Sequence, residues 1–501
     1  MSTLDHASDR PIAPPLAPVA QGGAVSARVR LLYGAGDAAN TIKQGLFALF
    51  TLFFYTTVMG LPGTWVGIAA AIGLLWDAVV DPFIGHLSDD PPWRLPFGRR
   101  HTFMVVGGLV MGVGFALFFS PPQGLDTLPL FLWMVVTGVL VRSGNSLYSI
   151  PYYSVGAELS DDYHERTTIT ATRGAMALLG TMIAATLSVT LFFPDRVPGI
   201  DPKLSYAGYP AMGLLFGLLM TVLALTATAG TWHRRHLRAD RIPQERPADD
   251  FLPGFIAALR FDSFRHLFLS FALFYLGVVV NSTLLIHYLT YYVEIRSSTA
   301  LAQLQATFYV AALVGALLWM RLARRVEKQR LYLLSMAVVA ALLVSAWALM
   351  GHGRLLGTGN VGAMLVGQGL AGFFGSILWI VPASMLADVA DEYALAHDRR
   401  REGAFFGIFN FGQQIATGMS LLLTGLLLDH FARLQAGQPL QSEATVARIG
   451  MLFGLLPALL VLAAIGQIRH YRLTQQRVRE VQATLRSKAP PEAQRADQTV
   501  I

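Results

Sequence analysis

The chain has no cysteine, and only 14% of its 501 residues are charged. The first absence excludes disulfides, thiolate metal sites and a cysteine nucleophile. The second excludes one soluble fold, because soluble domains are roughly a quarter charged and so few charges cannot cover the surface. A soluble enzyme, a nucleic-acid binder and a disordered scaffold are excluded on the same ground. The pattern also lacks a nucleophile–base pair, a metal cluster and a Gly-rich phosphate loop, so neither an enzyme nor a bound cofactor is expected. What the chain has is apolar length. Hydrophobic residues make up 54% of it, in runs of about 20 that recur through most of the sequence. The net charge of +7 then belongs to cytoplasmic loops of a membrane protein and not to a nucleic-acid surface.

Twelve membrane helices are expected, near 31–59, 64–88, 102–121, 128–157, 170–193, 208–231, 262–292, 300–322, 330–351, 358–388, 403–428 and 446–468. Several exceed the roughly 20 residues needed to span, so tilt or extension beyond the bilayer is expected. Arginines and lysines cluster in alternate loops: Arg94, Arg99 and Arg100; Arg234, Arg235, Arg238, Arg241 and Arg246; Arg324, Arg325, Lys328 and Arg330. The loops between hold only scattered cations such as Arg196, Lys203 and Arg296. The positive-inside rule therefore puts both termini in the cytoplasm of a multi-pass protein of the cell (inner or plasma) membrane, which requires an even number of spans. Residues 1–28 read as a disordered cytoplasmic tail with no signal peptide, 29–231 as a first six-helix bundle and 232–261 as a cytoplasmic linker. Residues 262–468 read as a second bundle and 469–501 as a basic cytoplasmic tail. Arg469 to Lys488 there either lies on an anionic leaflet or stays solvated. Six plus six around a cytoplasmic linker is a two-repeat transporter layout.

An ionisable group at membrane depth costs at least a few kcal/mol and invites a function. Asp77 and Asp81, in WDAVVDP, lie four residues apart and so share a helix face about one turn apart. Two carboxylates this close in low dielectric cannot both ionise cheaply, and Na⁺ or H⁺ would relieve the repulsion. The alternatives are that Asp81 caps a helix break at Pro82, or that a structural arginine neutralises both. Asp37, Asn40, Thr41 and Gln44 form one polar stripe on helix 1, with Lys43 off it by about 100°. Lys43 either pairs with a helix 2 carboxylate or meets substrate. Helix 4 carries Arg142, Asn145, Ser146 and Ser149, then Tyr148, Tyr152 and Tyr153 around Pro151, and Arg173 begins helix 5. A buried guanidinium is either a carboxylate partner or a forked donor to ligand oxygens.

The polar groups at membrane depth in the second half are neutral: Asn281, His287, Gln368, Asn410, Gln413 and Gln414. Trp379 and Gln414 are the expected substrate contacts there, since aromatic platforms and amides suit a hydroxyl-rich ring. His287, near a helix end, reads as structural. Two loops, ELSDDYHERT (Glu158 to Thr167) and ADVADEYALAHDRRREG (Ala387 to Gly403), mix acids with arginines at matching places in the halves. Glu158, Arg166, Asp388, Arg401 and Glu402 are expected to form a cytoplasmic gate of exchangeable ion pairs, the other reading being solvated loops.

Four motifs carry a resemblance: YGAGDAAN (Tyr33 to Asn40); WDAVVDPFIGHLSD (Trp76 to Asp89) with FGRRHTFM (Phe97 to Met104); IPYYSVGAELSDDYHERT (Ile150 to Thr167); and SMLADVADEYALAHDRRREG (Ser384 to Gly403). Spread over both halves, they resemble the glycoside–pentoside–hexuronide:cation symporters of the major facilitator superfamily. The resemblance implies an all-α membrane protein of twelve transmembrane helices in two six-helix bundles, alternating access, and a central site coupled to Na⁺ or H⁺. It implies that Asp77 and Asp81 bind the cation, with Ser146 where melibiose carriers have a Thr near it. Those carriers have Asn where Val80 stands, which leaves fewer hard ligands and tilts the expectation from Na⁺ at Asp77 and Asp81 to H⁺. Their sugar-binding carboxylates on helices 1 and 4 match Thr41 and Ser149. Their helix 4 Trp matches Tyr153, their helix 5 Arg matches Arg173, and their helix 11 Lys matches Gln414. The cation site looks kept and the substrate site changed.

The expected function is a cation-coupled symporter for a sugar, glycoside or related small hydroxylated solute. Its substrate contacts would be Asp37, Asn40, Thr41, Lys43, Arg142, Ser149, Tyr153, Arg173, Trp379 and Gln414. The alternatives are a lysolipid or other amphiphile transporter on this fold, since animal lysolipid carriers share the paired aspartates, and a non-transporting membrane sensor. The expected partners are a small-molecule substrate and the lipid bilayer, with no nucleic acid and no obligate protein partner.

Overall fold

A computed structural model describes residues 25–89, 97–160, 162–196, 201–232, 251–323, 325–397 and 402–488. The described residues are all-helical. The first half contains α1 (Ala27–Phe53), α2 (Gly63–Asp89), α3 (Arg99–Phe118), α4 (Thr127–Glu158), α5 (Tyr163–Phe192) and α6 (Gly208–Gly230). A short α7 (Phe251–Arg260) lies within the expected linker. The second half contains α8 (Asp262–His287), α9 (Ser298–Leu322), α10 (Lys328–Leu349), α11 (Val361–Gly375), α12 (Val381–His397), α13 (Glu402–Leu427) and α14 (Glu443–Ile468), and α15 (Gln475–Lys488) ends it.

Among the described residues, eleven helical segments are long and apolar enough to cross a membrane. α11 and α12 count as one of these, running from Val361 to His397 through a 3₁₀ turn at Ser376–Trp379. Pro382 accounts for that break: it has no N–H to give the carbonyl four residues back, and its ring crowds that turn. α1 has the length, at 27 residues, but its polar stripe keeps it outside the eleven.

Two helices extend beyond their sequence-based bounds. α5 begins at Tyr163 instead of 170, because Asp162 caps it by accepting from the Glu165 N–H at 2.7 Å. α12 continues to His397 instead of 388, so much of each expected gate loop is helix. The expected basic tail holds α15, which packs on α12: Val481 is buried there, and Gln482 Nε2 donates to Asp391 at 3.1 Å.

The core is unevenly divided. At one face a single apolar cluster joins both halves, from Phe53, Phe54 and Tyr209 to Tyr288, Leu289 and Leu428. Toward the arginine-rich loops the core splits. Tyr33, Met104, Tyr148 and Tyr152 pack within the first half, and Phe264, Val389, Ile408 and Ile468 within the second. α1, α8 and α13 all end at the joined face in a π-helical turn, at Phe54–Val58, Tyr288–Tyr292 and Leu428–Ala432.

Candidate functional site

The charged groups at membrane depth gather in the first half, where α1, α2, α4 and α5 meet. Asp77 of α2 forms an ion pair with Arg142 of α4. Gly73 makes room for it, since a Cβ there would overlap the guanidinium. One turn on, Asp81 accepts from the Ser146 hydroxyl at 2.5 Å. Trp76 fixes the same helix pair by donating from Nε1 to Ser143 Oγ at 2.8 Å. Lys43 of α1 interacts electrostatically with Asp77, Asp81 and Arg142. The two carboxylates thus have unequal partners, a guanidinium on one and a hydroxyl on the other.

A second cluster links α1, α4 and α5. Arg173 Nε lies 3.1 Å from Asp37 Oδ2. The Tyr153 hydroxyl donates to the other oxygen of Asp37 at 3.1 Å, and the Arg173 guanidinium stands over the Tyr153 ring, 5.0 Å from its centroid. Asn40 Nδ2 reaches the Tyr153 hydroxyl at 3.5 Å. Tyr33 and Tyr152 stack at 4.5 Å beneath it and exchange hydrogen bonds with each other's backbone, which locks α1 onto α4.

Other expected contacts fall elsewhere. Thr41 donates to the Ala177 carbonyl at 2.8 Å and pins α1 to α5. Ser149 is half-buried on α4. In the second half, Trp379 stands exposed on the turn between α11 and α12, and Gln414 is exposed on α13. Asn281 Nδ2 donates to the Phe453 carbonyl at 3.1 Å, a packing role.

Among the described residues, these contacts of the expected gate residues fall within one half. Glu158 pairs with Arg100 at 2.5 Å, Arg166 Nε donates to the Ser160 carbonyl at 2.7 Å, and Asp388 pairs with Lys328 at 2.5 Å. Arg401 and the Glu402 side chain lie outside the described residues.

The joined face carries polar contacts that sequence reasoning missed, and they cross between halves. Asp195, just beyond α5, caps α9: it accepts from Ser297 Oγ (2.7 Å), Ser298 N (2.8 Å) and Thr299 N (3.1 Å). Partial burial alone would raise its carboxyl, but these hydrogen bonds outweigh burial and hold it below the usual carboxylate range. Asp429, ending α13, caps α2 in the same manner. Asp201 and Lys203 form a fully buried pair at 2.7 Å. Thr290 donates to Asp201, and Lys203 donates to the Arg296 carbonyl, which docks the loop before α6 on the second half. His287 is buried and bonded to Thr56 at 3.1 Å across the halves, the structural place its position implies. No local signal marks Asp195 or Asp429, because their partners lie a hundred or more residues away.

An all-helical fold with apolar helices long enough to cross a membrane and ion pairs between them defines a class, the multi-pass membrane proteins with a functional site among their helices. Residues 32–475 match the family described as MFS/sugar transport protein, and the chain belongs to that family. It is 23% identical to the inner membrane symporter YicJ of Escherichia coli, across 92% of this chain and 95% of that one. It is 24% identical to the sodium-dependent lysophosphatidylcholine symporter 1 of Mus musculus, across 91% of this chain and 88% of that one. Among solved structures, it shares its fold with a bacterial homologue of the human lysosomal transporter Spinster in an inward-facing, unoccupied conformation. The TM-score is 0.63 at 14% identity, covering 93% of this chain and 98% of that chain. The relatives are transporters, and the chain is a secondary transporter of the major facilitator superfamily.

Proposed function

We propose that the chain is a cation-coupled symporter of the glycoside–pentoside–hexuronide:cation type, with twelve spans in two six-helix bundles and both termini cytoplasmic. It moves a sugar, glycoside or related small hydroxylated solute by alternating access. The observation that carries this reading is the unequal partnering of Asp77 and Asp81. Arg142 already occupies Asp77, so Asp81, held by a hydroxyl, is the carboxylate left to take a cation. A hard metal cation wants several oxygen ligands. Val80 offers none from its side chain, which favours H⁺ over Na⁺. The divided core supports alternating access: the halves share one apolar cluster at one face and pack separately at the other, as an inward-facing conformation requires. Substrate meets Asp37, Asn40, Tyr153 and Arg173 from one side and Trp379 and Gln414 from the other. The mixed acid–arginine segments near Glu158 and Asp388 close the cytoplasmic side in the opposite state.

A lysolipid or other amphiphile is the second reading, favoured by the likeness to a lysophosphatidylcholine symporter. The test is thermal shift on purified protein across glycosides and lysolipids, with and without Na⁺, at two pH values. Stabilisation by a glycoside that changes with pH and not with Na⁺ supports the reading. Stabilisation by lysolipids alone transfers it to the amphiphile, and a response to Na⁺ alone overturns the proton assignment.

A further inference from the structure

Six ionisable groups other than histidine and tyrosine stand at membrane depth on the described first-half helices: Asp37, Lys43, Asp77, Asp81, Arg142 and Arg173. Three are acidic and three basic, and they sort by geometry. Asp77 holds Arg142, and Asp37 holds Arg173. Arg173, one of the cations among the expected substrate contacts, is engaged on two sides, by the Asp37 carboxylate at 3.1 Å and by the face of the Tyr153 ring. Asp37 is engaged on its other oxygen by the Tyr153 hydroxyl. The three side chains form a closed set with no net charge. Trp379 and Gln414, the substrate contacts proposed in the second half, are uncharged.

Resting on the symporter reading, we infer that the substrate is electrically neutral overall, an uncharged polyhydroxylated solute or a zwitterion, and that Asp37 is the residue that excludes anions. A uronate or phosphomonoester would have to take Arg173 from Asp37. That leaves a buried carboxylate without its counter-ion beside a second negative group, the costly half of breaking a buried pair. A neutral solute needs no such exchange: hydroxyls can donate to Asp37 and accept from Arg173 while the pair stays closed. The coupling cation loads at the other cluster, on α2, and does not release Arg173.

The experiment is thermal shift and proteoliposome uptake with matched probes on the full chain. Methyl glucoside is compared with methyl glucuronide, methyl galactoside with methyl galacturonide, and lysophosphatidylcholine with lysophosphatidic acid. The wild type should prefer the neutral or zwitterionic member of whichever pair it recognises by at least about tenfold in Kd. Asp37→Asn frees Arg173 and should invert or erase that preference. Arg173→Gln added to Asp37→Asn should remove the gained anion binding, which an effect on folding alone would not do. Wild-type preference for the anionic member overturns the inference, as does an unchanged preference in a folded Asp37→Asn protein. Cation-dependent binding of a uronide would sink the inference and leave the symporter reading standing. Binding of glycosides that ignores both pH and Na⁺ would sink the symporter reading, and stabilisation by none of the probes overturns both.

Discussion

The Asp429 carboxylate at the end of α13 accepts from the backbone N–H of Gly63 at 2.8 Å, and its second oxygen accepts from the next N–H, of Thr64, at 2.7 Å. The first N–H groups of a helix have no intrahelical partner, and the helix dipole favours an anion there. The cap of α2 is therefore supplied by the other half of the chain. Gly63 permits the approach, since a Cβ on it would lie 2.7 Å from the Gly425 carbonyl. Asp195 returns the arrangement, capping α9 of the second half from the first. The two contacts are reciprocal latches on the joined face, and a state open at that face must break both.

Asp429→Ala removes two charge-assisted caps and should weaken that closure by about 1–2 kcal/mol. Spin labels placed across the joined face should report a population with longer distances. An unchanged distance distribution would mean that the apolar cluster alone holds the face shut.

Asp195 gives the second latch a pH limit. Its folded pKa lies below the usual value, so its contribution is fully present above the ordinary aspartate pKa of about 3.9 and is lost as pH falls through the lower, folded value. Between pH 7 and 5 the α5–α9 contact should not respond. Below about pH 4 it should loosen in the wild type. Asp195→Asn should abolish that acid limb, and its persistence in the variant would assign it to another carboxylate.

Asp77→Asn and Asp81→Asn should each abolish ion-driven accumulation while the protein still folds. Counterflow, which needs no net gradient, should survive better in Asp81→Asn, because Asp77 retains Arg142 in that variant. Uphill accumulation by either single variant would remove the pair from coupling.

Arg142→Gln removes the guanidinium paired with Asp77 and leaves Lys43 as the remaining cation nearby, so the loss should stay below the cost of about 3–5 kcal/mol for a buried pair broken outright. The double variant Asp77→Asn with Arg142→Gln should recover most of the lost thermal stability, though not coupling. Equal Tm values for the single and double variants would mean that Arg142 contributes nothing through Asp77.

The membrane class, the placement of most helices and the aspartate pair are legible in the sequence, because each rests on local spacing. A 20-residue apolar run sets a span, and four residues set a shared helix face. Helix ends were less legible where a polar cap extends a helix past the bilayer, as Asp162 does for α5. The break before α12 is local chemistry too, since Pro382 is plain in the sequence.

Which charge meets which was left open by the sequence. Arg142 reads equally as a ligand donor or a carboxylate partner until α2 and α4 are packed together, and the packing places it on Asp77. Thr41 and Asn40 sit on one polar stripe, yet α5 draws Thr41 to the Ala177 carbonyl while Asn40 turns to Tyr153. The sequence by itself determined how many charges the membrane region must hide and on which helices they ride. Only the tertiary structure decided that Asp37 holds Arg173 and that Asp195 and Asp429 latch the opposite halves. A buried ion pair or a borrowed helix cap is made between elements far apart in the chain, and no local period encodes it.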